Sequence, residues 1–273
     1  MHYRQYLPSD ALRNYVECYW VASLHRDDFG RQRLIPGGRV ELIFNFGSPV
    51  SWMYDELGQS SHTLKNEFVV MGQRNKIYYA SFEGAFNMAG IRFKPAGITA
   101  FTNIPVANLL NNLLDAEDVF GAGMKPWCDK ICNAQTDEEK IHVFDKLLLS
   151  ILRNEPAEWN AMQGIINSIR ANNLENISAA CYQTGWNYKK LERSFLKYAG
   201  YSPKQYMRIV RFNKALRKID TNQESLTSIG FDCGYYDQAH FIKDCIHLAG
   251  TTPGKLQTGD QIITSFLIKH QAV

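Results

Sequence analysis

The sequence predicts a two-domain α+β protein. An N-terminal β-rich barrel with following helices precedes an all-α C-terminal domain built from two helix-turn-helix units joined by a linker helix. Three observations predict it. The length of 273 residues exceeds one domain of typical size and falls short of three. The texture changes at Lys94-Pro95-Ala96-Gly97 from short β-branched and aromatic runs to helical periodicity. The C-terminal third repeats itself at an offset of 49 or 50 residues. An apolar content of 45% with 21% charged residues is ordinary for a folded, soluble chain and excludes disorder, collagen-like repeats and a coiled-coil rod.

From the start, Met1 to Pro8 offers no basic segment followed by an apolar run, so no secretory signal is expected and the protein is placed in the cytoplasm. Strands are expected at Tyr15 to Leu24, Val40 to Phe46, Phe68 to Met71, Ile77 to Phe82 and Phe86 to Phe93. Breaks at Pro36-Gly37-Gly38, Gly47-Ser48-Pro49, Gly58, Gly72 and Gly84 supply the turns. Short strands at this spacing suggest a small barrel or sandwich.

Beyond Gly97, Leu109, Leu110, Leu113 and Leu114 mark one helical stripe, and Ile141, Phe144, Leu147, Leu148, Ile151 and Leu152 mark a second. The uncharged run Ala96 to Leu114 approaches membrane-spanning length, but Pro105 and the amides of Asn103, Asn108, Asn111 and Asn112 exclude a lipid-facing helix, so no membrane partner is expected. Arg153-Asn154-Glu155-Pro156 ends the second stripe, because Pro156 cannot continue a helix. The domain boundary is therefore set between residues 1–156 and 157–260.

Six cysteines (Cys18, Cys128, Cys132, Cys181, Cys233 and Cys245) without an export signal read as reduced, small apolar residues. Cys128 and Cys132 would share a helix face, but zinc needs four ligands and no second pair stands at ligand spacing. Seven scattered histidines include no His-x-His pair near a strand. No metal, cofactor or catalytic residue is expected.

The net charge of +3 conceals an asymmetry. Residues 1–169 carry 16 Lys and Arg against 19 Asp and Glu, whereas residues 170–258 carry 13 against 7, a net of +6. A basic partner surface, if present, lies in the C-terminal third.

That third also holds the repeat. Gly185-Trp186 matches Gly234-Tyr235, Leu191 matches Phe241, Arg193 matches Lys243, and Ala199-Gly200-Tyr201-Ser202-Pro203 matches Ala249-Gly250-Thr251-Thr252-Pro253. Each copy has helix-turn-helix spacing. A small residue (Cys181 or Gly230) stands where two helices touch, and a glycine four positions on (Gly185 or Gly234) takes a left-handed turn before an amphipathic second helix.

The first such helix, from about Asn187 to Tyr198, leaves Lys189, Lys190, Glu192, Arg193 and Lys197 outside. The second, from about Tyr236 to Leu248, leaves Asp237, Gln238, His240, Lys243 and His247 outside. Pro203 opens a helix through Ile219 that fixes the spacing of the two readers. Two such helices in the major groove on one face of B-DNA sit about 34 Å apart. Trp186 and Tyr235 are expected to anchor the turns rather than stack on bases.

Residues 165 to 258 resemble the AraC/XylS family of bacterial transcription regulators. The carrying residues are Gly185-Trp186, Leu191-Glu192-Arg193-Ser194-Phe195, Gly200-Tyr201-Ser202-Pro203, Tyr206, Arg211 with Ala215, Ile229-Gly230, Gly234-Tyr235, Phe241 and Gly250-Thr251-Thr252-Pro253. The N-terminal part is similar to the cupin-like sensor domains of such regulators, through Tyr19-Trp20, Pro36 to Ile43 and Arg92 to Gly97.

The resemblance implies double-stranded DNA as partner. It places Lys189, Glu192 and Arg193 at base-contacting positions of the first recognition helix, and Asp237, Gln238, Ala239 and Lys243 at those of the second. Asn187, Lys190, Lys197 and His240 complete the expected DNA-binding set. Arg193 suits guanine and Gln238 adenine, each pair discriminating by about 1 to 3 kcal/mol. Family members commonly carry Phe-Lys late in each recognition helix; here Phe195-Leu196 and Cys245-Ile246 stand instead, which removes a phosphate-reaching lysine from both. Lys197 and His247 are the nearest substitutes.

In the β-domain Trp20, Glu41, Arg74 and Arg92 are candidates to hold a polar effector, against the bland alternative of a structural ion pair or outward charges. The leading function is a non-enzymatic, sequence-specific transcription regulator controlled by a small molecule or partner through the N-terminal domain, with a homodimer and RNA polymerase as further partners. Coupling is expected through the helices between Leu109 and Leu152 into Ala157 to Asn173. The alternatives are an effector-independent regulator whose N-terminal domain only dimerises, and a DNA-repair methyltransferase fusion, which would need a four-cysteine zinc site.

Overall fold

A computed structural model of the chain describes residues 2–24, 31–53, 61–64, 68–82, 84–171, 176–221 and 224–257. Gly58, Asn173 and the segment 258–273 lie outside the described residues.

Ten strands occupy the N-terminal part: β1 (His2–Tyr6), β2 (Val16–Leu24), β3 (Arg31–Leu34), β4 (Glu41–Asn45), β5 (Val50–Met53), β6 (Ser61–Leu64), β7 (Phe68–Met71), β8 (Tyr78–Phe82), β9 (Phe86–Phe93) and β10 (Leu113–Asp115). All pairings are antiparallel. They form a six-stranded sheet in the order β1-β2-β9-β4-β7-β10 and a four-stranded sheet in the order β3-β8-β5-β6. The expected β-rich domain is thus present, but as two open sheets among the described residues rather than a closed barrel.

Period-2 alternation divides the large sheet into two faces. Tyr19, Val21, Leu42, Phe44, Val70, Ala89 and Ile91 point to one side and pack on the following helices α1 (Ala116–Phe120), α2 (Lys125–Asn133) and α3 (Asp137–Ile151). Cys18, Trp20, Ala22, Ile43, Val69, Met71 and Met88 point to the other side and pack on Leu34, Val50, Trp52, Tyr78 and Ala80 of the small sheet.

The second apolar stripe forms α3, opened by a capping box in which Thr136 accepts from the Glu139 backbone and Glu139 reaches back. The first stripe, expected as a helix at Leu109 to Leu114, is a correction. A single 3-10 turn at Val106–Leu109 stops, Asn111 takes φ +59°, and Leu113 and Leu114 pair with Met71 and Val70 as β10. A left-handed residue ends the turn, and Leu113–Asp115 instead satisfies the edge of β7.

The rest of the described chain is helical: α4 (Ala157–Arg170), α5 (Ile177–Thr184), α6 (Tyr188–Tyr198), α7 (Pro203–Thr221), α8 (Leu226–Asp232), α9 (Gln238–Ala249) and α10 (Pro253–Gln257). The repeat extends further than its turn motifs. Trp159, Met162, Ile165, Ile166 and Ile169 of α4 and, fifty positions on, Ile209, Phe212, Ala215, Leu216 and Ile219 of α7 are all buried. Each unit is therefore a three-helix body, α4-α5-α6 and α7-α8-α9, and α7 is both linker and first helix of the second unit.

The β-domain is built into both bodies. Tyr15 and Ala96 complete the first core, and Trp159 Nε1 donates to the Ala96 carbonyl at 3.2 Å. Ile35 sits in the second core beside Phe212 and Leu216. Gln73 Nε2 donates to the Ala199 carbonyl at 3.3 Å, and the Tyr201 hydroxyl to the Arg74 carbonyl at 2.8 Å. Arg33 Nη1 donates to the Ala249 carbonyl at 3.2 Å, and Asn213 Nδ2 to the Pro36 carbonyl at 3.2 Å. Strand β3 and the loop after β7 thus hold the ends of both second helices, and the loop after β3 holds α7.

Candidate nucleic-acid interface

Local chemistry fixes both helix-turn-helix units in the same way. Asn176 caps α5 and Ser225 caps α8, each accepting from a backbone N–H three residues on. Gly185 (φ +66°) and Gly234 (φ +82°) take the left-handed turn. A Cβ at Gly230 would lie 3.4 Å from the Phe241 ring, an ordinary contact, so the position calls for a small residue and not for glycine alone.

Asn187 then caps α6 through the Lys190 N–H at 2.9 Å, and Asp237 caps α9 through the His240 N–H at 2.7 Å. Asp237 was expected among the base contacts and Asn187 in the wider DNA-binding set; in the structure one side-chain oxygen of each is committed to its own helix. The second recognition helix begins at Gln238, two residues later than the pattern suggested.

Trp186 packs against the first core and Tyr235 is buried in the second, with Arg211 stacked 4.8 Å over its ring. Both anchor turns, as expected. Lys189, Arg193, Gln238, Ala239 and Lys243 are exposed on the outer faces of α6 and α9, and none makes a side-chain hydrogen bond or ion pair among the described residues. Lys190 is exposed and reaches over the Trp186 ring at 4.6 Å. Glu192 is half-buried and accepts from the Tyr188 hydroxyl at 3.3 Å. His240 is half-buried edge-on against Tyr235.

Lys197 is placed differently from the expectation that it substitutes for a phosphate lysine. It bends onto Glu158 of α4 at 3.4 Å and over Tyr198. The Tyr198 contact, then Glu158, hold its pKa above the usual range. Glu158 also accepts from Ser194 at 2.7 Å and from Tyr198 at 3.2 Å. Fifty positions on, the same tie between first and third helix is an ion pair: Arg208 of α7 to buried Asp244 of α9 at 2.8 Å, with Arg211 at 3.8 Å. His247 lies exposed near Arg208, and partial desolvation followed by the Arg208 charge lowers its pKa. Leu196 and Ile246, at the missing-lysine positions, are both exposed.

In the β-domain the four effector candidates fall in one region. Trp20 and Arg92 are buried on the inner face of the large sheet, and Glu41 faces Arg92 across β4 and β9 with a 2.6 Å ion pair. Arg74 follows β7 and lies 5.9 Å over the Tyr78 ring. Sequence reasoning missed Trp52 of the small sheet, which packs into the same layer. It also missed the seam residues Gln73, Ile35 and Tyr201, for which only strand register and tertiary packing give a signal. Among the described residues no group of three or more His, Cys, Asp or Glu side chains is placed to hold a metal. No helix among them is long and apolar enough to cross a membrane.

Comparison with known proteins fits this anatomy. A family model described as a helix-turn-helix domain matches residues 180–259, and one described as a domain of unknown function (DUF6597) matches residues 4–115. No curated protein matches the chain. Among solved structures, ToxT from Vibrio cholerae is similar with a TM-score of 0.50 at 10% identity, over 88% of this chain and 98% of that one. A second ToxT structure gives 0.47 at 10% identity over 87% and 97%, and an unsaturated-fatty-acid-bound wild-type ToxT gives 0.46 at 12% over 87% and 93%.

A β-rich domain followed by paired helix-turn-helix units defines a DNA-binding transcription regulator. The paired units are of the AraC type, over the 80 residues that the helix-turn-helix model matches.

Proposed function

We propose that residues 157–260 act as a bipartite, sequence-specific reader of double-stranded DNA, and that residues 1–156 control it in response to a small molecule. The reading residues are Lys189 and Arg193 on α6 and Gln238, Ala239 and Lys243 on α9, with Lys190, Glu192 and His240 flanking them. Asn187 and Asp237 shape the helix starts, so their part in readout is through their caps. The observation that carries the reading is the pair of outward faces, each an exposed donor set without an internal partner, at equivalent positions of two repeated bodies.

Control by the β-domain is supported by the seam. Arg33 of β3 and Gln73 of the loop after β7 bond the carbonyls that close α9 and α6, so a shift of either bears on the relative placement of the two readers. Homodimerisation and contact with RNA polymerase belong to the same proposal, which treats the protein as a binding protein rather than an enzyme.

Selection of the full chain against random duplexes, beside Arg193→Ala and Lys243→Ala, tests the readout. Two enriched blocks about one helical turn apart, each relaxed by one of the variants, support it. A single block relaxed by both variants contradicts it.

A further inference from the structure

The layer between the two sheets holds more hydrogen-bond donors and more positive charge than it can satisfy. Arg92 has a side chain only 2% exposed, and its Nε is paired with Glu41, yet its Nη1 has no partner. Arg74 places Nη1 against the Met71 thioether and Nη2 3.4 Å from the Ile35 carbonyl, while its buried Nε has none. A thioether is a weak acceptor for a guanidinium.

The indole N–H groups of Trp20 and Trp52, 4% and 5% exposed, are also buried without partners among the described residues. Trp20 lies over Gly90, where a Cβ would stand 2.7 Å from the indole carbon bonded to Nε1. Gly90 precedes Arg92 by two positions on the same face of β9, so Trp20 and Arg92 share that face of the sheet.

These four orphans are donors; of the buried unpartnered acceptors beside them, Glu17 Oε1 belongs to the carboxylate paired with Arg39 and Gln73 Oε1 to the amide that bonds Ala199 at the seam. The charges do not balance either. Three guanidiniums, Arg39, Arg74 and Arg92, share the field of two carboxylates, Glu17 and Glu41, with Glu17 paired to Arg39 and Glu41 to Arg92. Burial pulls the Arg74 pKa down, with Glu41 opposing it. Uncompensated buried charge and unmade buried hydrogen bonds each cost free energy that an incoming group of the right chemistry recovers. The walls are otherwise apolar, with Met71 and Met88 beside the two tryptophans.

We propose that this layer is a binding site for an organic monoanion, a carboxylate on an aromatic or aliphatic body, with Arg74, Arg92, Trp20 and Trp52 as its donors. The assignment deepens the small-molecule control proposed above and rests on it for its regulatory meaning. Arg74 gives that meaning a route. Its side chain reaches into the layer and bonds the Ile35 carbonyl, while its own carbonyl accepts from Tyr201 at the end of the first unit. An anion that draws the Arg74 guanidinium off Ile35 acts on both reader bodies through one residue, since Ile35 is packed in the core of the second.

The test uses the full chain and measures thermal shift and tryptophan fluorescence with benzoate, phenylacetate and hexanoate, each against its neutral primary amide. The expected result is saturable stabilisation by at least one carboxylate and none by its amide. Arg74→Met, which leaves the Arg92–Glu41 pair intact, should weaken binding by about 10- to 100-fold. Trp52→Phe keeps an aromatic ring and removes one N–H, and should weaken it by a smaller factor while leaving the unliganded protein folded. Stabilisation by none of the carboxylates, equal binding of acid and amide, or unchanged affinity in both variants overturns the site. A DNA-binding assay with and without the bound carboxylate reads the regulatory claim separately: binding without a DNA response leaves the site in place and overturns the control.

Discussion

At the scale of single residues, two positions carry the seam between the domains. Gly200 takes φ +73°, and a Cβ there would fall 1.3 Å from Gln73 Nε2 and 2.9 Å from the Val106 carbonyl. Gly200→Ala should therefore destabilise the protein by about 2 to 4 kcal/mol in urea unfolding, from backbone strain and overpacking together. Adding Gln73→Ala removes the side-chain collision but not the strain, so the double variant should be less destabilised than the sum of the two singles.

Glu155, on the segment between α3 and α4, makes the opposite kind of prediction. Burial pushes its pKa up to about 7 from an ordinary 4.5. Between these values the folded state holds a proton that the unfolded state has released, so this group's contribution falls as pH rises from 4.5 through 7 and stays low above. The Tm advantage of Glu155→Gln over the wild type should accordingly grow from pH 5 to pH 8 in a thermal scan.

At the scale of elements, the two reader bodies use one plan with exchanged chemistry: Glu158 to Ser194 in the first, Arg208 to Asp244 in the second. Arg208→Ala strands a buried carboxylate with Arg211 only at 3.8 Å, and should cost about 3 kcal/mol. Glu158→Gln keeps an acceptor for Ser194, costs less than about 1 kcal/mol, and releases Lys197. DNA affinity should then rise, with a slope of log K against log salt steeper by about 0.9.

The repeat made the turns, caps and outer faces readable in the sequence, because short-range chemistry fixes them: Gly185 and Gly234 take positive φ, which glycine adopts without strain. The five strands expected from β-branched and aromatic runs are present, the central β2, β4, β7 and β9 among them. Edge strand β1, whose sequence His2-Tyr3-Arg4-Gln5-Tyr6 mixes polar and aromatic residues, gave no such pattern. The Leu109 to Leu114 stripe misled because Asn111 and the free edge of β7 outweigh helical spacing. Lys197 was legible as an exposed cation but not as Glu158's partner, since α4 was not recognised as part of the repeat.

At the scale of the whole molecule, the β-domain is not a detached sensor. Ile35, Tyr15 and Ala96 complete the cores of the two reader bodies, and the contacts of Gln73, Arg74 and Arg33 run directly to the ends of α6 and α9. This route is shorter than the one expected through the helices after Leu109. The account's central claim is that two equivalent outward faces read DNA as a pair.

Selection of the full chain from a random duplex library, repeated with Arg193→Ala and Lys243→Ala, tests that claim most directly. The account predicts two short blocks about one helical turn apart, with each substitution relaxing a different block at a cost of about 1 to 3 kcal/mol. Enrichment of one block only, or uniform weakening across all sequences by both substitutions, would contradict it.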